Sequence, residues 1–270
     1  MTARELGFKA EVQQLLDLMI HSLYSDREIF LRELVSNAAD ALDKGHFLGL
    51  TRNDLVAIGP DEPGVRITVD EDAKTITIED DGVGMTAEEA EQNLGTIAHS
   101  GSKAFLKSLK EAAEDGGAPE LIGQFGVGFY ASFMVADRVV VQTRSALPDA
   151  EPVEWVSEGK GTYTLETGER TERGTSITLH LRDDAAEFAD THRLSQIVRK
   201  HSNFLPWPIF VGDEKANSGK ALWAQQPSQV SEEEANEFYK SLSYDFADPA
   251  LTVHVSVDSP LQYHAMLFVP

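Results

Sequence analysis

The sequence contains no cysteine in its 270 residues, which excludes disulfide bonds and thiolate nucleophiles and fits a reducing compartment. Basic residues are scarce: the chain has 23 Lys and Arg residues and 45 Asp and Glu residues, which gives a net charge of −22. That balance argues against a general binder of nucleic acid or anionic membranes, since both require positive surface. No apolar run is as long as a membrane span, and the opening MTARELGFKAEVQQLL carries acids where a signal peptide is basic and then apolar. We therefore expect a soluble, cytoplasmic protein.

The apolar fraction of 41% is ordinary for a globular protein, and the length predicts one or two domains. Apolar residues at helical spacing predict helices at 11–23, 29–42, 86–94, 103–113, 129–136, 188–201 and 231–242. Alternating apolar residues predict a hairpin at 65–69 and 76–78, strands of one antiparallel sheet at 138–144, 163–165 and 175–181, and later strands at 251–257 and 263–269. Glycines flank the helix at 103–113, a pattern that fits either a moving lid or a static surface excursion.

The second predicted helix carries a polar row within the stretch ELVSNAAD. Glu33, Asn37 and Asp40 are separated by four and three residues, which places them on one helix face. The residues between them are mainly apolar, so a buried row would need a metal, a ligand or a polar network to satisfy it. A solvated helix face is the alternative interpretation.

Two glycine loops match the pattern G-x-G-x-x-A, one starting at Gly82 and one at Gly126. A dinucleotide-binding fold is rejected, because Asp80 and Asp81 would repel a pyrophosphate and the neighbouring elements are hairpins. A carboxylate at a strand end is instead suited to accept a hydrogen bond from the amino group of adenine. The second loop, GQFGVGF, carries no acid and leads into a helix, so its amides favour phosphate. The chain has no G-x-x-x-x-G-K-[ST] loop.

These loops and the polar row form a complementary set. The carbonyl oxygen of Asn37 can coordinate Mg²⁺ that bridges phosphates, because hard cations prefer oxygen ligands. Glu33 lies one turn earlier and can deprotonate a water that attacks the terminal phosphorus.

Four segments, ELVSNAAD, EDDGVGMT, NLGTIAHSG and GQFGVGFY, resemble in order and spacing the nucleotide-site boxes of the GHKL ATPases. Longer segments, including FLRELVSNAADALDK and IGQFGVGFYASFMVADRV, resemble the bacterial ninety-kilodalton heat-shock chaperones. The resemblance implies an α+β fold, a two-layer α/β sandwich of the Bergerat type with helices over a mostly antiparallel sheet. It also implies an ATP-binding domain at 1–211 with a lid at about 95–128, a linker at 212–222 and the truncated start of a middle domain at 223–270.

The resemblance also implies a role for each matching residue. Glu33 resembles the general base, Asn37 the Mg²⁺ ligand and Asp80 the acceptor for the adenine amino group, while Asp40 resembles an orienting group. The other implied nucleotide contacts are Gly84 and Thr175 through water, Met85 against the base, Asn93 and Leu94 near the sugar, His99 in the lid, and Phe125, Gly126, Val127, Gly128 and Phe129 at the phosphates. Several have structural alternatives, since Asp80 could be a turn acid, Met85 a core residue, and Asp40 or Thr175 a group satisfied by the protein.

The implied function is ATP binding and slow hydrolysis by a chaperone that acts on client proteins and forms a homodimer at full length. This piece is expected to be a monomer with ATP or ADP and Mg²⁺ as ligands, and without nucleic-acid or membrane partners. Turnover is expected to be very low, because the family keeps an arginine for the γ-phosphate in the rest of the middle domain. A nucleotide-gated binding module and a histidine-kinase or gyrase-type ATPase are the alternatives.

Two residues depart from the usual pattern of the family. Asp81 stands where Asn is usual, and if it points inward, one carboxylate pKa rises and nucleotide affinity falls as the pH increases. His99 stands where Lys is usual, and a mostly neutral imidazole neutralises phosphate less than an ammonium does.

Overall fold

The computed structural model describes residues 26–52, 62–112, 121–123, 125–219, 221–257 and 263–270, with single positions 14, 18, 55 and 259. The chain forms two compact units, one of residues 1–203 and 207–218 and one of residues 204–206 and 219–270. Apart from two positions, the predicted helix at 11–23 lies outside the described residues.

An eight-stranded sheet forms the framework of the first unit. Its strands are β1 (Val65–Asp70), β2 (Thr75–Asp80), β3 (Ala136–Arg144), β4 (Val153–Ser157), β5 (Tyr163–Thr167), β6 (Gly174–Leu181), β7 (Ile209–Val211) and β8 (Glu214–Lys215). Their order is β5-β4-β3-β6-β2-β1-β7-β8, and every neighbouring pair is antiparallel except β1 with β7. The predicted α+β fold with a mostly antiparallel sheet is confirmed.

The helices of the first unit are α1 (Ile29–Thr51), α2 (Ala87–Gly95), α3 (Gly101–Ala112) and α4 (Thr191–His201), with 3-10 turns at Gly128–Met134 and Asp183–Phe188. Helix α1 continues beyond its predicted end near Leu42, because Gly45 and Gly49 weaken a helix without ending it. The predicted cap of α2 is confirmed, since Thr86 Oγ1 accepts from Glu89 N at 3.3 Å and Glu89 Oε2 accepts from Thr86 N at 2.8 Å. Among the described helices, none combines the length and apolar character needed to cross a membrane.

The second unit contains α5 (Glu232–Ser243) and a hairpin of β9 (Leu251–Val257) and β10 (Tyr263–Val269), as predicted. The range predicted as a linker is divided between the two units, because residues 212–218 belong to the first. Buried Asn217 holds that stretch, since its Oδ1 accepts from Ile209 N at 2.9 Å and its Nδ2 donates to Trp207 O at 3.0 Å. The functional division of the chain stays a prediction.

Glu28 connects the start of α1 to α4. Its buried carboxylate accepts from Arg193 Nη2 at 2.7 Å and Lys200 Nζ at 2.6 Å, and His201 Nε2 lies 3.2 Å away. The hydrogen bond from Lys200 is the largest cause that holds the pKa of Glu28 below its ordinary value, against the opposing effect of burial. The ion pairs therefore stabilise the folded chain only while this carboxylate is charged.

We expect Glu28→Gln to lower the free energy of unfolding near pH 7 by about 1–3 kcal/mol, between the values for exposed and for buried ion pairs. Because the folded-state pKa is lowered, this stabilisation is present above the ordinary pKa of 4.5 and is lost as the pH falls through the folded-state value. Denaturant unfolding at several pH values should show the two proteins converging in acid. Glu187→Gln is the control, because exposed Glu187 lies 3.9 Å from the same Arg193; a difference that persists in acid would contradict the prediction.

Candidate functional site

The polar row of α1 faces a glycine segment of which the structure describes Gly123 and residues 125–128. The Glu33 carboxylate lies so close to Gly128 that a Cβ on this glycine would overlap Glu33 Oε2. At the other end of the segment, a Cβ on Gly123 would lie 3.2 Å from Asn37 Oδ1 and 3.1 Å from Asp40 Oδ2. The three polar residues predicted to share a helix face therefore lie beside this segment, and a side chain at Gly128 would require the Glu33 carboxylate to move.

Glu33 is held by its neighbour in the chain. Arg32 Nη2 donates to Glu33 Oε1 at 2.5 Å, and Arg32 Nε donates to the same oxygen at 3.2 Å. The Glu33 side chain is 22% exposed, so solvent reaches the carboxylate. Glu33 thus has one oxygen bound by a guanidinium and the other beside Gly128.

Asp40 is only 2% exposed and is satisfied by protein groups. Its Oδ2 accepts from Ser102 Oγ at 2.8 Å and from Gly123 N at 2.9 Å, and its Oδ1 accepts from Ile122 N at 2.8 Å. These donors come from α3 and from the segment that follows it in the described part of the chain. The carboxylate therefore holds both segments against α1, and the orienting role that the resemblance implies stays a prediction.

The other end of the site is the end of β2 and the turn that follows it, and Asp80, the last residue of β2, is buried. Asp80 Oδ1 accepts from Gly82 N at 2.8 Å, and Thr175 lies opposite Asp80 in β6. Gly84 has φ +62° and lies directly against the carbonyl of Arg144, so only glycine fits there. The sheet thus places Thr175, which is far away in sequence, beside Asp80 and the turn that contains Gly84, and the role of these residues in binding a base stays a prediction.

Burial raises the pKa of Asp80 to about 7, because the ionised carboxylate loses its hydration. The N–H groups of Gly82 and Thr175 and the charge of Arg170 oppose the rise, and the charge of Asp81 adds to it. Asp80 therefore changes its charge close to neutral pH. A bound group that donates a hydrogen bond to the carboxylate would favour the ionised form.

The carboxylate of Asp81 has different hydrogen-bond partners from the carboxylate of Asp80. Its Oδ2 accepts from Arg66 Nη1 at 2.7 Å and from Gly64 N at 3.2 Å, which directs the carboxylate towards β1. The pH effect expected for an inward Asp81 therefore has no basis, since the condition that it required is not met.

Thr143 is a site residue that sequence reasoning missed. Its buried Oγ1 accepts from Met85 N at 3.0 Å, lies 3.0 Å from Thr175 Oγ1 and donates to Gly174 O at 3.1 Å. Thr143 follows Val139 and Val141 at inward positions of β3. A hydroxyl residue in this otherwise apolar series was the sequence signal that could have identified it. It joins the turn after β2 to β6.

Asn93 connects the two ends of the site. Its Oδ1 lies 3.2 Å from His99 Nδ1, which donates when that nitrogen carries the proton, and its Nδ2 lies 4.0 Å from Met85 Sδ. The backbone of His99 in turn lies against Gly126. His99 is therefore packed beside the loop GQFGVGF, which the sequence predicts to bind phosphate.

The remaining residues predicted to contact the nucleotide lie near the 3-10 turn at Gly128–Met134. Val127 caps the turn, and Phe129 is buried with its ring edge against Trp155 at a centroid distance of 5.4 Å. Buried Leu94 accepts a hydrogen bond from Tyr130 Oη through its carbonyl at 2.9 Å. The side chain of Phe125 is directed to solvent, since the residue is 81% exposed, so this residue offers the site only its backbone.

The donor set fits Mg²⁺ at Asn37. This ion takes few protein oxygens and completes its shell with phosphate oxygens and water, and Asn37 Oδ1 is an oxygen next to partly exposed Glu33. Among the described residues, one group of three carboxylate or histidine side chains has its ligand atoms close enough to hold an ion, namely Asp26, Glu28 and His201. That group lies at the start of α1, where Arg193 and Lys200 already pair with Glu28.

Comparison with known proteins assigns the chain to a class. Residues 24–178 match the family described as "Histidine kinase-, DNA gyrase B-, and HSP90-like ATPase", and residues 211–270 match the family "Hsp90 protein". The first match covers more than half of the chain, so the chain belongs to the HSP90-like ATPase family. The resemblance predicted from the four sequence boxes is confirmed.

Among curated relatives, the chain is similar to proteins named "Chaperone protein HtpG". The chain is 49% identical to the HtpG of Desulfitobacterium hafniense, and the match covers 97% of this chain. The identity is 50% with the HtpG of Nitratidesulfovibrio vulgaris, over 98% of the chain, and 48% with that of Chlorobium phaeovibrioides, over 99% of the chain. Each match covers 42% of the relative, so the chain spans about two fifths of the length of these relatives.

Proposed function

We propose that the chain binds ATP and ADP between α1 and the sheet and hydrolyses ATP slowly. The observation that carries the proposal is the contact of Glu33 and Asn37 with the glycine segment that ends at Gly128, with buried Asp80 at the opposite end. A carboxylate that accepts, amides that attract phosphate and an amide oxygen suited to Mg²⁺ are the groups that a nucleotide requires.

In this proposal each residue has a defined role. Ionised Asp80 accepts a hydrogen bond from the adenine amino group, and Asn37 holds Mg²⁺, which neutralises phosphate charge when bound. Glu33 accepts a proton from the attacking water, while the bond between the γ-phosphorus and the bridging oxygen breaks and ADP leaves. Arg32 has to release Glu33 Oε1 for that oxygen to take part.

A second candidate is a nucleotide-gated binding module in which hydrolysis is incidental. The observation that favours it is the 2.5 Å contact of Arg32 with Glu33, which engages one of the two oxygens of the carboxylate that would act as the general base. The two candidates differ in turnover and share nucleotide binding.

For the whole protein we propose a cytoplasmic chaperone that acts on client proteins and pairs as a homodimer when ATP closes its lid. Support comes from the HtpG chaperones to which the chain is similar. The piece described by this sequence is expected to be a monomer.

We expect calorimetric titration to show micromolar binding of ADP that strengthens with Mg²⁺. Asn37→Ala should keep Mg²⁺-free binding within about twofold and lose most of the strengthening, because it removes the protein oxygen of the ion. Asn236→Ala, a change of the same kind in α5, should retain both properties. Absence of ADP binding in the parent chain would contradict the proposed function, and an undiminished Mg²⁺ effect in Asn37→Ala would contradict the role of Asn37.

A further inference from the structure

Two carboxylates follow each other at the end of β2, and the strand directs them to opposite faces. Neighbouring residues of a strand point to opposite sides of the sheet, so Asp80 follows buried Ile76 and Ile78 to the helix-covered face. Asp81 follows Glu79 to the other face. Both aspartates are buried. Two adjacent carboxylates that are poorly hydrated repel each other, so each requires its own hydrogen-bond or ion-pair partner to stay ionised.

Arg66 is the partner of Asp81. Its Nη1 donates to Asp81 Oδ2 at 2.7 Å, and the N–H of Gly64 donates to the same oxygen at 3.2 Å. Arg66 is itself held on β1, where its Nη2 donates to Glu62 O at 3.3 Å and its Cα lies opposite Glu79. The second carboxylate is therefore bound to the neighbouring strand.

The backbone of the same turn is held by groups that precede β6. Arg173 Nη2 donates to Asp81 O at 3.3 Å, and Arg170 Nη1 pairs with Glu79 Oε1 at 2.8 Å. Arg170 Nη2 also reaches Asp80 O at 3.5 Å. The charged groups around the turn are thus Arg66 from β1, Glu79 from β2, Asp81 directly after β2, and Arg170 and Arg173 from the segment before β6.

Recognition of a base amino group requires a carboxylate that only accepts hydrogen bonds. Two carboxylates that approach each other share a proton, and a protonated carboxyl group donates instead. A donating Asp80 would favour hypoxanthine, which has a carbonyl where adenine has an amino group. The location of Asp81 therefore bears on which base is preferred.

We propose that Arg66 is a positioning residue that sets base specificity, because it pairs with Asp81 on the outer face, neutralises that second charge beside Asp80 and leaves Asp80 as the single carboxylate that faces the base. This inference rests on the proposed function and deepens it.

The test is calorimetric titration of ADP and inosine diphosphate into the parent chain, Arg66→Met and the double variant Arg66→Met/Asp81→Asn. Arg66→Met should lower the ratio of ADP to inosine diphosphate affinity about fivefold or more, within the range of coupling between contacting residues. Asp81→Asn should restore the ratio in the double variant, because the competing carboxylate is gone. Arg138→Met, an exposed arginine on β3, should retain the parent ratio.

The outcomes separate this inference from the proposed function. Equal weakening of both nucleotides in Arg66→Met, or a lowered ratio that Asp81→Asn does not restore, would show a merely structural role and overturn the inference. A parent chain that binds neither nucleotide would overturn the proposed function and the inference with it. Thermal unfolding checks the fold of each variant, and Arg66→Gln carries the same expectation if Arg66→Met does not fold.

Discussion

Asp80→Asn is expected to reduce ADP affinity at least about a hundredfold, because removal of one hydrogen-bond partner leaves a buried group unsatisfied. The carboxylate of Asp80 already accepts from Gly82 N at 2.8 Å. An asparagine that keeps this hydrogen bond through its oxygen presents its NH₂ group to the base. Two donors, the amide and the adenine amino group, would then face each other in a buried place.

The same substitution is expected to leave the ligand-free chain more stable. Burial raises the pKa of Asp80 from 3.8 to about 7, and a shift of that size costs up to about 4 kcal/mol near neutral pH. A raised folded-state pKa means that the cost is absent below the ordinary value, grows between the two values and is complete above about pH 7. We expect Asp80→Asn to increase the free energy of unfolding by about 1–3 kcal/mol at pH 7 and to lose that advantage in acid.

Asp80 also makes the parent chain's nucleotide affinity depend on pH. The ionised form is the one that accepts from adenine, so ADP affinity should rise as the pH increases through about 7. The measurement is calorimetry and denaturant unfolding of both proteins across this range, with Asp137→Asn, an exposed aspartate of β3, as the control. If Asp80→Asn binds ADP as well as the parent chain does, Asp80 stabilises the turn and does not recognise the base.

Glu33→Gln and Glu33→Ala are expected to lower the rate of ATP hydrolysis by about a hundredfold or more, the usual contribution of a general base. ADP affinity should stay within about twofold of that of the parent chain, because Glu33 acts on water in the proposed mechanism and does not contact the adenine ring. Glutamine keeps the shape beside Gly128 while losing the ability to take a proton. The two variants therefore separate the lost base from altered packing.

Single-turnover hydrolysis with excess protein measures this effect, since the expected turnover is low. Glu88→Ala, an exposed glutamate in the first turn of α2, is the matched control. Equal hydrolysis by Glu33→Gln and the parent chain would exclude Glu33 as the base and favour the binding module.

Local sequence patterns predicted most of the secondary structure because one period repeats within each element. The hairpin of β1 and β2 and the cap of α2 at Thr86 are examples, since both depend on residues close together in the chain. The short strands β4, β7 and β8 were missed. A strand of two to five residues carries too little alternation to be recognised, and the parallel partner of β7, β1, is distant in sequence.

The candidate site was predictable where one element contains the signal. Glu33, Asn37 and Asp40 share a helix face by spacing alone, and the alternation Ile76, Ile78, Asp80 indicates a buried acid. The bond of Thr143 to Met85 N and the bonds of Asp40 to Ser102, Ile122 and Gly123 required the folded chain. These partners come from separate elements, and no spacing rule links them.

The sequence by itself determined the family, the order of the four boxes and the chemistry that their residues offer, because identity and spacing along one element are local properties. Only the tertiary structure decided how the charges are shared: Asp81 pairs with Arg66 of another strand, and burial leaves Asp80 titrating near neutral pH. Charge depends on the solvent and on the partners around each group, and these are set by segments that meet only when the sheet and helices pack.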